Sequence, residues 1–407
     1  MKKEGYSSSF SLKLYVLAQR FPLLRYFKVI LYFFDGILLL FIKKPKKDKD
    51  GKKKVLIIYN YAFGDGIIFL NAFDSIRKIY PKSKFEVSLI CQKGLNSIYE
   101  NSNMFDEVIS YDLTRSTFHL GIRFSLYKLL RRKYYDIVLD PIGVAECTMN
   151  VFMSRVLCAN QKITILDTTL DSKRCPKFIY NSIYTEIVKV RISNLSLLEY
   201  YGELICKLMN TEYKVGFHKM DVPQVELPTK YFIAFPSAST QLKRWPSERY
   251  AILVKKIYEY TKIPLLFCGT NSDTDSINEL KSLIEGIPYY DYVNQTSLLE
   301  FINVVQKASF VITNDTSTYH IAVTQQVPVT IITGGYTYSR YVEYKFKDME
   351  KYKKPYIAAK CMDCFNCDND CKKLKKTDTI WPCLNDVTVD LAWSKVKEMI
   401  DNLTLEV

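Results

Sequence analysis

The chain has 407 residues, enough for two globular domains at ~100–200 residues each. An apolar fraction of 48%, a charged fraction of 25% and only 14 glycines and 14 prolines exclude collagen-like and low-complexity classes. The net charge of +14 suggests a nucleic-acid binder, but residues 1–54 hold 14 Lys or Arg against 4 acids. The other 353 residues carry only +4, so the basic character belongs to a tail and no nucleic-acid partner is expected.

Residues 26–42 form an apolar run of 17 interrupted by Lys28 and Asp35. That is short of the ~20 apolar residues a spanning helix needs, and the run sits late for a secretion signal and has no small-residue cleavage site. Eight lysines follow at positions 43, 44, 46, 47, 49, 52, 53 and 54. An apolar helix beside a polybasic stretch suits an anionic membrane surface. Residues 1–53 are therefore expected to be an amphipathic, membrane-associated tail, the alternative being a solvated linker after a helix that packs on the body. Of eleven cysteines, Cys91, Cys147, Cys158, Cys175, Cys206 and Cys268 are scattered and read as small buried hydrophobes. Five cluster near the C-terminus. No disulfide framework is expected, and the localisation expected is cytoplasmic, peripheral on the inner face of the cytoplasmic membrane.

After the lysines, short apolar runs alternate with helical patterns. Strands are expected at 55–60, 85–91, 107–111, 137–139 and 162–166, with helices at 64–80 and 118–133. Polar residues with Pro223 and Pro228 mark a linker at 213–229. Strands at 231–235, 264–269, 310–313 and 327–333 follow, with helices at 247–260, 297–307, 316–326 and 389–403. The alternation predicts an α/β protein with two doubly wound, Rossmann-like domains facing a cleft, at 54–222 and 223–388, and a C-terminal helix in 389–407. Ligands of such sheets bind beyond the carboxyl ends of the strands.

Four stretches fall at those ends. Phe63-Gly64-Asp65-Gly66 turns from a strand into a helix, and Asp65 is either a helix cap or a reactive carboxylate. The segment 236–246 carries Ser237, Ser239, Thr240 and Lys243 ahead of Trp245-Pro246. Hydroxyls with one lysine suit a phosphate, and a lysine facing the cleft is expected to be dispensable for folding. The segment 314–320 sets Asn314, Asp315, Thr316 and Ser317 before a helix and His320 one turn inside it, where a helix N-terminus favours an anion. The segment 269–273 is a fourth candidate for the cleft lining.

Gly64-Asp65-Gly66, Lys243-x-Trp245-Pro246 and Asn314-Asp315-Thr316-x-x-x-His320, together with Tyr135-Asp136-Ile137-Val138-Leu139-Asp140 and the C-terminal cysteines, resemble glycosyltransferase family nine, the heptosyltransferases of the lipopolysaccharide inner core. The resemblance covers residues 54–400 in order and spacing. It implies a GT-B fold and inverting transfer of a sugar, heptose in the family, from a nucleotide-sugar to a lipid-linked glycan acceptor of lipopolysaccharide or a surface polysaccharide. The first domain would hold the acceptor and the second the donor, with an ADP-sugar favoured. It implies Asp65 as the catalytic base and Ser239, Thr240, Lys243, Asp315, Thr316, Ser317 and His320 around the donor. Ser317 stands where the family usually has glycine, which narrows the space beside the donor sugar.

Asp-x-Asp pairs at 48–50, 273–275 and 368–370 are candidates for a divalent ion, but the GT-B class does not need one, so metal-independent transfer is expected. The tract 361–383, within the second domain, spaces Cys361, Cys364, Cys367, Cys371 and Cys383. The first four imitate a ferredoxin run, but Lys372 replaces its proline. Structural zinc on four of the five and reduced free thiols both remain open. Two other functions are compatible with the chain: a GT-B enzyme of another reaction, such as sugar-nucleotide epimerisation, and a non-catalytic glycan- or nucleotide-binding module.

Overall fold

The computed structural model describes residues 27–47, 51–144, 148–168, 175–191, 195–375 and 377–405. The chain divides into two compact units between Val215 and Gly216. Residues 1–26 of the expected tail, the Asp-x-Asp at 48–50 and Cys147 lie outside the described residues.

The first unit is a six-stranded, all-parallel sheet of β1 (Lys53–Tyr59), β2 (Phe85–Gln92), β3 (Glu107–Tyr111), β4 (Tyr134–Asp140), β5 (Cys158–Asp167) and β6 (Glu186–Val190). Their order is β3-β2-β1-β4-β5-β6, the doubly wound arrangement. Val55 to Tyr59 are wholly buried, as a central parallel strand covered on both faces must be. The helical pattern at 64–80 is two helices, α1 excluded from it: α1 is the N-terminal helix Phe27–Leu40, α2 runs Phe63–Ala72, and a short turn follows at Ile76–Ile79. The break falls at Phe73, whose ring stacks on Phe69 at 4.2 Å inside the core. The unit continues with α3 (Leu120–Leu130), α4 (Met149–Val156) and α5 (Leu197–Met209). A capping box between Ser196 and Glu199 starts α5, and Asn210 ends it in the left-handed conformation.

Asp35, which interrupts the apolar run, is what docks α1. Its carboxylate is buried and accepts from Arg123 Nε at 2.6 Å, Arg123 Nη2 at 2.5 Å and the Tyr127 hydroxyl at 2.7 Å, all from α3.

The second unit repeats the plan with β7 (Phe232–Phe235), β8 (Leu265–Gly269), β9 (Tyr289–Val293), β10 (Val311–Asn314), β11 (Val329–Ile332) and β12 (Tyr356–Ala358). Their order, β12-β11-β10-β7-β8-β9, is that of the first sheet when counted along the chain. Helices α6 (Ser247–Thr261), α7 (Ser317–Thr324) and α8 (Val389–Leu405) are among those that flank it. Trp245, from the Trp-Pro pair, is a core residue, and its indole N–H donates to Val387 O at 2.9 Å.

Candidate active site

The strands β7 and β10 are neighbours although two strands separate them in sequence, so the winding reverses between them. That switch point is where doubly wound sheets open a crevice. The chain leaves β7 through Pro236-Ser237-Ala238 and a 3-10 turn at Gln241–Lys243, and leaves β10 directly into Asp315 and α7. Asn314 fastens the two ends, donating to Pro236 O at 2.7 Å and accepting from the Trp245 N–H at 3.4 Å and the Tyr250 hydroxyl at 3.3 Å.

Lys243 and Asp315 meet across this point, Nζ to Oδ2, at 2.8 Å. Burial by itself would raise the Asp315 carboxyl, but the Lys243 ammonium outweighs it and holds the group below the usual carboxylate range. The ammonium also sits 5.1 Å from the Tyr336 ring centre, a cation–π distance. Tyr336 follows β11, the next strand of the sheet, and burial and the neighbouring Asp315 keep its hydroxyl protonated. His320 is buried one turn into α7, with Nδ1 2.8 Å from the Tyr344 hydroxyl. Burial pushes its ring down to about 4, so it is neutral at pH 7.

The remaining donor-loop candidates are placed less closely. Ser239 is exposed and Thr240 half-buried on the loop after β7. Thr316 is the N-cap of α7, accepting from the Thr318 N–H at 3.2 Å, and Ser317 is the first residue of that helix. Three buried hydroxyls at these strand ends, Ser237, Thr318 and Thr337, have no hydrogen-bond partner among the described residues. Leaving such a group unpaired costs ~1–3 kcal/mol, so these ends carry more polar capacity than the fold uses. Sequence reading missed Tyr336 and Tyr344, and no spacing rule marks either.

In the first unit, Asp65 is the third residue of α2 and half-buried. The N-cap is Ala62, with no side-chain cap, so Asp65 is not the cap that its position suggested. Its backbone carbonyl accepts from the Tyr59 hydroxyl at 2.8 Å. Gly66 supplies the close approach expected of this turn: a Cβ there would lie 2.5 Å from the Tyr99 hydroxyl.

In the fourth stretch, Asp273 accepts from the Thr270 N–H at 2.8 Å and the Thr270 hydroxyl at 2.9 Å, holding the loop on itself. The cysteine tract packs behind Tyr336. Cys364, Cys367, Cys371 and Cys383 line a cavity of about 10 Å³ with Tyr336 and Trp381, whereas Cys361 is exposed and outside it. Cys383 Sγ accepts from the Gly335 N–H at 3.3 Å. Burial raises Cys367 to about 11, so the thiol is protonated at pH 7. A space of that size holds about one small atom, and four thiols suit zinc or iron in chemical type. Among the described residues, however, no three ligating side chains converge closely enough to hold an ion.

Two doubly wound, six-stranded parallel sheets in sequence are the α/β arrangement of the GT-B fold. The model of glycosyltransferase family 9 (heptosyltransferase) matches residues 123–374, and the chain belongs to that family. Solved structures agree in fold. A family 9 glycosyltransferase of Veillonella parvula is 14% identical, with a TM-score of 0.66 over 88% of this chain and 100% of that one. The Escherichia coli heptosyltransferase WaaC with ADP is 19% identical, with a TM-score of 0.61 over 86% and 99%. The iron-containing heptosyltransferase TibC, in complex with ADP-D-beta-D-heptose, is 13% identical, with a TM-score of 0.50 over 88% and 79%. No curated protein sequence matches the chain.

Proposed function

We propose that this glycosyltransferase moves a sugar, with inversion, from an ADP-sugar to a lipid-linked glycan acceptor of lipopolysaccharide or a related surface polymer at the cytoplasmic face of the membrane. The observation that carries the reading is the Lys243–Asp315 pair between the ends of β7 and β10. Lys243 is part-exposed, and an ammonium has three donors, so one serves Asp315 while others reach a diphosphate. As the glycosidic bond breaks, negative charge grows on the leaving diphosphate. Lys243 and the positive dipole end of α7 stabilise that charge, and no metal is needed for the step. Ser239, Thr240, Thr316 and Ser317 supply further donors, and His320, neutral, borders the sugar. Asp65 takes the proton of the acceptor hydroxyl as its oxygen attacks the anomeric carbon. ADP and heptose are favoured because the similar structures of WaaC and TibC carry ADP and ADP-heptose. Thermal-shift screening against ADP-, UDP- and GDP-sugars tests the donor: at 100 times its dissociation constant the right one adds ~2.7 kcal/mol of stability. Equal response to all three, or to none, overturns the assignment.

The cysteine tract is proposed to hold a structural metal on Cys364, Cys367, Cys371 and Cys383, the four cysteines that share one cavity. Bound there, the ion would act as a cross-link behind Tyr336 and take no part in transfer. Elemental analysis of the purified chain tests this, and less than about a tenth of an equivalent of zinc or iron rules it out.

A further inference from the structure

We propose that the outer face of α1 is a docking surface for an anionic bilayer and that the first unit holds this surface in fixed orientation. The inference deepens the transferase reading and rests on it for its purpose, since it names the surface on which a lipid-linked acceptor is met.

The exposed residues of α1 and the turn after it are Ile30, Phe33, Phe34, Ile37, Leu40 and Phe41, each between 49% and 81% exposed. Spacings of three and four place them on one stripe of the helix. The opposite stripe is occupied: Leu31 and Ile42 are core residues, and Asp35 is closed by Arg123 and Tyr127. Two further arginines fix the helix. Arg131 donates to Leu39 O at 3.3 Å and Ile42 O at 2.9 Å, and the Arg155 guanidinium lies 3.7 Å from the Tyr32 ring centre. With its polar inner side spoken for by three body arginines, α1 cannot roll to bury its phenylalanines against its own unit.

Charge selects the occupant. Lys43, Lys44, Lys46 and Lys47, directly after the apolar stripe, are all exposed. Cations beside an apolar stripe fit the headgroups of anionic lipids, whereas a second copy docked through the same stripe would set its own lysines against these. The helix has 14 residues and is ~21 Å long, less than the ~30 Å of a hydrocarbon core. Among the described residues no helix is long and apolar enough to cross a membrane. The stripe therefore lies in the interface, along the membrane plane.

The test is flotation of the full chain with vesicles of phosphatidylcholine and phosphatidylglycerol, and with phosphatidylcholine alone. The parent chain is expected to float with the anionic vesicles and ~10-fold less with the neutral ones. A chain carrying Phe33→Ser and Phe34→Ser, both exposed positions that the core does not use, is expected to lose ~10-fold or more of its anionic-vesicle binding with an unchanged melting temperature. Equal flotation of variant and parent overturns the proposal, as does equal binding to both vesicle types. So does a parent chain that is dimeric without lipid when the variant is monomeric, because the stripe is then a self-association face. ADP-sugar thermal shifts on the same samples separate the two readings: flotation lost by the variant with no donor response in either chain supports the docking surface and removes only the ADP-sugar assignment.

Discussion

Lys243 and Asp315 stand 72 positions apart in sequence and meet at 2.8 Å, so the cation assigned to the diphosphate is also the counter-ion of a buried carboxylate. Its removal therefore has two effects where sequence reasoning expected one. Lys243→Ala is expected to lower turnover ~100-fold or more, through loss of charge stabilisation on the leaving group. It is also expected to cost the fold about 2 kcal/mol, less than the ~3–5 kcal/mol of a fully buried pair because the lysine is partly exposed. Adding Asp315→Asn should restore the melting temperature, since the orphaned charge is gone, without restoring turnover. Recovery of both would make the pair structural.

Asp65→Asn separates charge from shape. The substitution leaves the Ala62 cap of α2 as it is and removes only a carboxylate from the first turn, a helix-dipole effect of ~0.3–1 kcal/mol. Transfer is expected to fall ~100-fold or more while donor binding holds. A near-normal rate, measured as ADP release with acceptor present, would leave Asp65 without a catalytic part.

The buried imidazole gives the second unit an acid-sensitive contribution. In the folded chain His320 is held down to about 4, against ~6.5 when unfolded. As pH falls through that window the unfolded chain takes up the proton first, so the His320 contribution is intact above ~6.5 and declines toward 4. Asp140, which burial raises to about 6 against the pull of Tyr184 and Asn150, has the opposite sign over much of the same range. The informative quantity is thus a difference: the stability of the parent relative to His320→Gln should shrink between pH 7 and about pH 4.5 in calorimetry. A constant difference would show that folding does not change the proton affinity of His320.

The cavity behind Tyr336 divides the five clustered cysteines into four and one. If metal is bound as proposed, Cys371→Ser should lose it and melt at a lower temperature, whereas Cys361→Ser, at an exposed position, should retain a full equivalent. Elemental analysis of both variants decides, and equal loss from both would place Cys361 in the ligand set.

The central strands were legible because burial on both faces leaves unbroken apolar runs, as in Val55 to Tyr59 and Phe232 to Phe235. Three of the four outermost strands were not: β6, β9 and β12 each pair with one neighbour only, and Tyr289 to Val293 is largely exposed, whereas β3, also at an edge, was read at 107–111. Helix α5 was missed although Ser196 and Glu199 carry a readable capping box. At the candidate site the loops were legible from strand ends and helix starts, so Lys243, Asp315 and His320 fell together. Tyr336 and Tyr344 were not, because tyrosines in the irregular stretch after β11 have no periodicity to betray them.

The Asp35–Arg123 pair changes what a shortened chain would mean. Both side chains are 1% exposed, so a protein begun at the first strand would keep the guanidinium in its interior with the Ser116 and Thr117 carbonyls, the Met149 sulfur and the Phe152 and Tyr127 rings around it but no carboxylate against it. An abandoned buried charge costs ~3–5 kcal/mol, a large part of the ~5–15 kcal/mol that holds a typical domain together. Trimming the N-terminus to improve handling would thus weaken the sheet it was meant to liberate, and aggregation of the trimmed protein would report an injured core, not a missing lipid. Serine at the outward phenylalanines spares the clamp and is the gentler route to a manageable enzyme.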